Sequence, residues 1–321
     1  MVSHVNRNTV CHGNVWEQHW GKTTNMAAHD SNAVHTGALR RFWSPIFDSL
    51  AFEEKRLLDL AAGKGDLLEV LMSSGRFQPS WLPQFYSVDL SETALQHIKM
   101  RYPTTEIVRS DCAQLPFSNN SFDIIVSQFG IEYSGLRAFD ECCRVLKNDG
   151  KFIAVCHYQH GALHNECMDN LQAVNLLFEI GFFKNAHLAF DAKTSKSQTQ
   201  NSIQVDSEFR DILSSVANLT NLRPYLVAGL LRKLFNDTRY MYDNLSRFEA
   251  NLIIEWLDTM EKELSNYRAR MAALNESSLN KSLLGNALTV FTAKGFSNVN
   301  IKELKADRYS KPFAWAIEVS K

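Results

Sequence analysis

From residue 56 to residue 158, short β-branched or aromatic segments alternate with helix-spaced ones, and this rhythm restricts the fold more than any other feature of the chain. The strand patterns are "RLLDLAA" (56–62), "FYSVDL" (85–90), "EIVRSD" (106–111), "FDIIVSQF" (122–129) and "KFIAVCHY" (151–158), each bounded by polar residues or glycine. Between them lie "DLLEVLMSSG", "SETALQHIKMRY" and "GLRAFDECCRVLKNDG", the last closing with Lys147 and Gly150 as a helix end does. Strict alternation of this kind predicts a parallel sheet with helices on both faces.

The second half has a different character. Between about 160 and 278 there is no convincing strand pattern, and "DAKTSKSQTQNSIQVDS" (191–207) reads as a mobile polar loop between helices. In "NLIIEWLDTMEKELSNYRARMAAL" the residues Ile253, Leu257, Met260, Leu264, Tyr267, Met271 and Leu274 recur at alternating spacings of four and three. Such a stripe either packs within the chain, with "GLLRKLFNDTRYMYDNL" as an available partner helix, or joins two copies as a homodimer through the helical segment. After residue 279 the α/β rhythm returns, with a helix in "LNKSLLGNALTVFTAKGF" and final strands in "NVNIKELKA" and "FAWAIEVSK". The expectation is one sheet interrupted by a large helical insertion after strand 5. The boundaries expected are a helical cover over 1–45, a ligand-binding domain over 46–159 and 279–321, and an insertion over 160–278 that begins at the ligand-bearing edge and serves as a lid.

Composition removes several function classes. At 321 residues and 45% hydrophobic content the chain can bury a core of one large domain or two ordinary ones. Lys+Arg 34 against Asp+Glu 35, with no basic run of five or six, argues against nucleic acid as the main partner. The six cysteines (Cys11, Cys112, Cys142, Cys143, Cys156, Cys167) form no CxxC pair, and they read as reduced thiols of a cytoplasmic protein. No signal-peptide core and no run of about 18 apolar residues is present, so no membrane association is expected.

Function concentrates in "LLDLAAGKGDLLEVL" (57–71), where an apolar strand pattern breaks at Gly63 and Gly65 and resumes with helical spacing. Open parallel sheets bind ligands beyond the carboxyl ends of their strands, and a glycine turn there lets the next helix present its N-terminal amides. A lone G-x-G is a weak signal, since any tight strand-to-helix turn can use glycine. Spacing strengthens it: Asp89 ends the second strand, where a carboxylate can accept both hydroxyls of a ribose, and Asp111 ends the third with Cys112 beside it, suited to an adenine. Each carboxylate alone could equally cap a loop. NAD would fit the turn and Asp89, but the full G-x-G-x-x-G is missing, with Leu68 where a small residue is required.

"DLAAGKGDL", "VDLSETAL", "SDCAQLPFSNNSFDIIVSQFGIEY" and "RVLKNDGKF", in this order, resemble the class I S-adenosylmethionine-dependent methyltransferases, most closely the branch containing the ubiquinone and menaquinone C-methyltransferases, over residues 35–157. The resemblance implies a Rossmann-like, seven-stranded, mostly parallel sheet and S-adenosylmethionine as cofactor. It implies that Asp59 through Gly65, Ala61 included, surround the methionine part, with Asp89 and Leu90 at the ribose and Asp111 and Cys112 at the adenine. Ser127, Gln128 and Phe129 would line the floor beneath the sulfonium, and "HTGALRRFW" (35–43) is similar to the short helix that closes over the cofactor, with Arg40 or Arg41 available to the cofactor carboxylate. Ala61 stands where the family has its first glycine, a change of one methyl group, and Lys64 replaces a small polar residue, either favouring the cofactor carboxylate or pointing to solvent. Glu132 and Tyr133 replace the Arg-Asn pair of the quinone enzymes, which does not support a quinone acceptor.

Methyl transfer is an in-line displacement at a carbon activated by positive sulfur, so the protein chiefly aligns the nucleophile and excludes water. A nucleophile that must lose a proton calls for a base, and Glu132, Tyr133, His157 and Tyr158 lie where strands four and five end. His157 is the first choice because imidazole titrates near neutral pH; the alternative is a hydrogen-bonded structural histidine under the lid. His160 and His164, four apart, lack a third ligand, so no metal is expected. Trp16, His19 and Trp20 either wall an acceptor cavity or staple the N-terminal helix to the core. The function expected is methyl transfer to a small molecule. Its alternatives are a cofactor-binding protein without transfer and an enzyme using the same cofactor for another group.

Overall fold

The computed structural model of the protein describes residues 16–21, 32–73, 84–194, 200–224, 226–307 and 309–321. Its sheet has seven strands: β1 (Arg56–Leu60), β2 (Gln84–Asp89), β3 (Glu106–Arg109), β4 (Phe122–Gln128), β5 (Leu146–His157), β6 (Asn298–Leu304) and β7 (Ala314–Ser320), in the order β3-β2-β1-β4-β5-β7-β6. The first five run parallel, and β7 runs antiparallel to both β5 and β6. Leu57, Leu58 and Leu60 are fully buried because helices cover both faces, which is why β1 reads as a continuous apolar run and not as an alternation.

Helices α1 (Asn32–Ser49), α2 (Asp66–Ser73), α3 (Glu92–Arg101), α4 (Leu136–Val145) and α10 (Lys281–Ala293) belong to the sheet-bearing part of the chain. Two of them carry side-chain caps: Ser91 accepts from the Ala94 amide at 3.1 Å, and Asn280 from the Leu283 amide at 2.9 Å. A core of Leu58, Leu60, Phe122, Ile125, Phe139 and Phe152 joins Phe291 and Ile317 from the C-terminal segment, so residues distant in sequence share one hydrophobic interior. The segment "KNDGKF", read as the end of a helix followed by a strand, is strand throughout: β5 begins at Leu146 and shifts register against β4 between Phe122 and Ile124. A Cβ on Gly150 would lie 2.7 Å from the Leu146 side chain, which accounts for glycine inside this irregular stretch.

The chain divides into two compact units. One holds residues 16–21, 32–166 and 273–321; the other holds residues 167–272, and all its described secondary-structure elements are helices. The helices of this segment are α5 (Ala162–Glu179), α6 (Phe182–Thr194), α7 (Gln200–Leu222), α8 (Leu230–Asp243) and α9 (Ala250–Ser277). Phe182, Phe190, Phe209 and Tyr242 form an aromatic interior of the second unit. Of the polar stretch 191–207, expected to be a loop, residues 191–194 belong to α6 and 200–207 to α7, while 195–199 lie outside the described residues. Its polar side chains form the solvated face of helices whose other face buries Phe190, Phe209, Leu213 and Val216. The α9 stripe is used inside the single chain, with Ile253, Leu257, Leu264, Tyr267, Met271 and Leu274 buried and Met260 half-buried.

Both ends of the helical segment meet at Leu279. Its amide donates to the His157 carbonyl at 2.9 Å, and its carbonyl accepts from the Gln159 amide at 3.0 Å and from Trp315 Nε1 at 2.7 Å. Asn280 Nδ2 donates to Gln159 Oε1 at 3.0 Å beside this point. Among the described residues no helix is long and apolar enough to cross a membrane. Cys112, Cys142, Cys143, Cys156 and Cys167 are buried free thiols, and Cys11 lies outside the described residues.

Candidate cofactor and active site

The turn after β1 is built from three left-handed residues, Ala61 (φ 54°), Gly63 (φ 53°) and Gly65 (φ 88°). The Gly65 amide closes the turn on the Ala62 carbonyl at 2.9 Å, and its carbonyl receives the Glu69 amide, opening α2. A Cβ on Gly65 would press on Ile98 of α3 at 3.1 Å, and one on Gly63 would meet the Trp20 ring at 3.0 Å. Ala61 tolerates its conformation at a cost of about 1–2 kcal/mol. Its methyl fits only because residue 130 is glycine, where a Cβ would stand 2.4 Å from that of Ala61. Gly130 was not singled out in the sequence, since nothing local reveals its approach to β1.

Asp89 organises the turn. Its Oδ2 accepts from the Gly63 amide and its Oδ1 from the Ser91 amide, both at 2.8 Å, so one carboxylate ties the ends of β1 and β2 together. Each oxygen retains a lone pair for a ligand hydroxyl. Burial outweighs these bonds and raises the Asp89 carboxyl above its ordinary range. Asp59, at the end of β1, is 1% exposed and its Oδ2 has no hydrogen-bond partner. Burial, then the charges of Asp89 and Asp66, hold it well above the usual carboxylate range. An unpartnered buried acid beside a second one fits a cationic ligand group, as the ammonium of a methionine moiety is, and so the residues present fit this cofactor.

The remaining candidates fall in different places. Asp111 Oδ1 caps its own loop by accepting from the Ala113 amide at 2.9 Å, and Cys112 is buried next to it, with its thiol pushed up by burial and by Asp89 and Asp111. Leu90 is half-buried and its carbonyl takes the Arg109 Nε at 3.0 Å. The Ser127 hydroxyl is committed to protein, donating to the Leu60 carbonyl at 2.8 Å and accepting from the Ile131 amide at 3.1 Å. Gln128 Oε1 accepts from Trp43 Nε1 at 2.7 Å, which anchors α1 to the end of β4. Arg40 is exposed, and Arg41 pairs with Asp307 at 3.0 Å. His164 Nε2 is engaged with Asn275 at 3.1 Å.

At the ends of β4 and β5 the structure brings Glu132, Tyr133, Phe129 and His157 together. Glu132 follows β4 in a single 3-10 turn, Ile131–Ser134, and meets His157 Nδ1 at 2.7 Å. Phe129, itself left-handed (φ 52°), lies 4.4 Å from the His157 ring, and Tyr133 meets that ring edge-on at 5.6 Å. The helical stretch 16–20 spans both halves of this edge. Trp16 contacts Tyr133 at 5.3 Å, Trp20 stands on Gly63 with Lys64 Nζ 5.7 Å from its ring, and Glu17 Oε1 accepts from the Thr93 amide at 3.2 Å and from its hydroxyl. The tryptophans thus fasten this stretch across the strand ends. Glu17 and Thr93 carried no sequence signal beyond the position of Thr93 in the first turn of α3.

Residues 58–154 match the family model described as a methyltransferase domain. A "Probable S-adenosylmethionine-dependent methyltransferase" of Mycobacterium tuberculosis is 38% identical over 69 residues, 21% of this chain and 25% of the relative. The demethylmenaquinone methyltransferase of Renibacterium salmoninarum is 29% identical over 133 residues, 40% of this chain and 53% of that protein. The ubiquinone/menaquinone biosynthesis C-methyltransferase of Campylobacter jejuni is 26% identical over 105 residues, 32% and 45% of the two chains. The chain thus spans from a quarter to about half the length of these curated relatives. The strand order and the glycine turn held by Asp89 agree with the match of residues 58–154 to a methyltransferase domain.

Proposed function

We propose that the protein transfers a methyl group from S-adenosylmethionine to a small-molecule acceptor. The observation that carries this reading is the pairing of Asp89, which bridges the glycine turn to β2, with Asp59, whose buried Oδ2 lacks a partner. Asp59 and the turn amides would hold the methionine part, Asp89 the ribose, and Asp111 with Cys112 the adenine side. When bound, the cofactor supplies a methyl group on a positively charged sulfur. Two buried acids favour that cation over the uncharged thioether left after transfer, so they aid donor binding and product release together.

The acceptor side has a different origin. The family match ends at residue 154, and the helical segment starts directly after β5. We assign the choice of acceptor to the ring-rich strand ends, and a small molecule suits a site framed by aromatic side chains. The buried free thiols support a reducing, cytoplasmic setting. Native mass spectrometry of the purified protein with added S-adenosylmethionine or S-adenosylhomocysteine tests the reading. Expected is one bound cofactor per chain and homocysteine-product release with an acceptor panel; absence of any complex at excess ligand overturns it.

A further inference from the structure

We propose that His157, positioned by Glu132, is the general base for a planar acceptor bearing an acidic hydroxyl, a phenol or an enol, so that oxygen is the atom methylated. The inference rests on the methyl-transfer reading above and adds the class of acceptor to it.

The geometry fixes the ring. Glu132 Oε1 accepts the backbone amide of His157 at 2.9 Å and lies 2.7 Å from Nδ1 of the same residue. A carboxylate oxygen accepts, so Nδ1 carries the proton and the neutral imidazole is left with its lone pair on Nε2. A merely structural tie would leave the carboxylate fully satisfied, yet Glu132 Oε2 is buried without a partner in a residue 2% exposed. That oxygen stands where it can stabilise an imidazolium, with the Cys156 thiol hydrogen-bonded to the same carboxyl group.

The surroundings select the acceptor. Phe129 and Tyr133 lie against the His157 ring, and Trp16 against Tyr133, so flat hydrocarbon faces frame the base. Phe129 is held left-handed there, a strained conformation of the kind that collects at functional sites. Among the described residues the other titratable neighbours are Glu132, Tyr133, Cys156 and His164. Burial raises the Cys156 thiol, with Glu132 adding to it, and burial lowers His164, so both stay neutral beside the base. In the step itself the acceptor O–H bond breaks with its electron pair left on oxygen, and the proton forms an N–H bond at Nε2. The products are an oxyanion and an imidazolium that faces the Glu132 carboxylate, so total charge is unchanged.

The test uses the full chain with 4-nitrophenol as probe and S-adenosylhomocysteine in the cofactor site. Below the probe's own pKa, the protein should raise the fraction in the yellow phenolate form. Glu132→Gln and His157→Asn should abolish that shift while leaving affinity for S-adenosylhomocysteine unaltered, and Glu132→Asp should restore part of it. With a turned-over phenol, Glu132→Gln should lower kcat by about a hundredfold or more, with a smaller change in KM. Nitrogen-15 spectra of the wild-type His157 ring should show a protonated Nδ1 and a bare Nε2. A proton on Nε2, nitrophenol bound only in its neutral form or not at all, or a Glu132→Gln protein that ionises it like wild type overturns the proposal. The ring spectrum decides alone should the variants not fold. Loss of cofactor binding with phenolate formation intact would instead sink methyl transfer and spare the base.

Discussion

Asp59→Asn separates what the fold tolerates from what the donor requires. Asp59 is buried, its Oδ2 is unpartnered, and burial with the charges of Asp89 and Asp66 raises its carboxyl above the ordinary 3.8. The folded chain therefore holds this proton to higher pH than the unfolded chain does. Stability falls as pH rises from 3.8 towards the raised value and stays reduced by the full amount above it. Asparagine has nearly the same shape and no charge to bury. An unsatisfied polar atom remains in either residue, but a buried charge costs more than a neutral group, so Asp59→Asn should stabilise the empty protein by about 1–3 kcal/mol at alkaline pH and by little in acid. For a chain of this size each kcal/mol moves Tm by roughly 2–4 °C. With the donor the order reverses. At a hundredfold excess over Kd the wild type gains about 2.7 kcal/mol, whereas a variant binding tenfold more weakly gains only about 1.4 kcal/mol. Urea unfolding across pH, with and without S-adenosylmethionine, measures both terms. A variant no more stable than wild type at alkaline pH, or one with an equal gain from the donor, refutes the reasoning.

Gly130→Ala should destabilise the protein, because its Cβ would overlap that of Ala61 at 2.4 Å, and Ala61→Gly in the same chain should recover much of the loss. A double-mutant cycle read by urea unfolding should give a coupling of about 1–3 kcal/mol; additive losses would remove the contact. Gly63→Ala combines a left-handed φ with contact on Trp20, so a loss of about 1–2 kcal/mol and a shifted tryptophan emission are expected. Arg41→Ala removes an ion pair whose side chains are 61% and 92% exposed. Calorimetry should show unchanged donor affinity, and stability should move by no more than about 0.5 kcal/mol.

The order of strands and helices was legible because period-two and period-3.6 patterns alternate cleanly from Arg56 to His157, and the buried β1 leucines leave no polar face to confuse them. The stretch 191–207 misled because a polar run has the same composition in a loop as on the wet face of a helix, and the residues that decide, Phe190 and Phe209, stand at or beyond its ends. Asp89 could be placed at a strand end, but its bonds to Gly63 and Ser91 depend on two loops meeting in space. The same holds for Arg41. The helix over 35–43 offers Arg40 or Arg41 to the cofactor carboxylate, and the structure pairs Arg41 with Asp307 near the other end of the chain. Glu132 and His157 were recognised as separate candidates, and only the parallel pairing of β4 with β5 makes them a hydrogen-bonded couple.

The clasp at Leu279 bears on how such a chain can change. His157, Gln159 and Trp315 all bond this one residue, so the long helical segment leaves and rejoins the sheet at nearly the same spot. The entropy of closing a loop grows only with the logarithm of its length, by about 0.6 kcal/mol for each doubling. Replacing some hundred residues by a connector of a few would therefore alter the closure term of the sheet by only about 3 kcal/mol. The segment between the clasped ends is thus a cassette. Its length and sequence can drift or be exchanged while β5, β7 and the glycine turn keep their register.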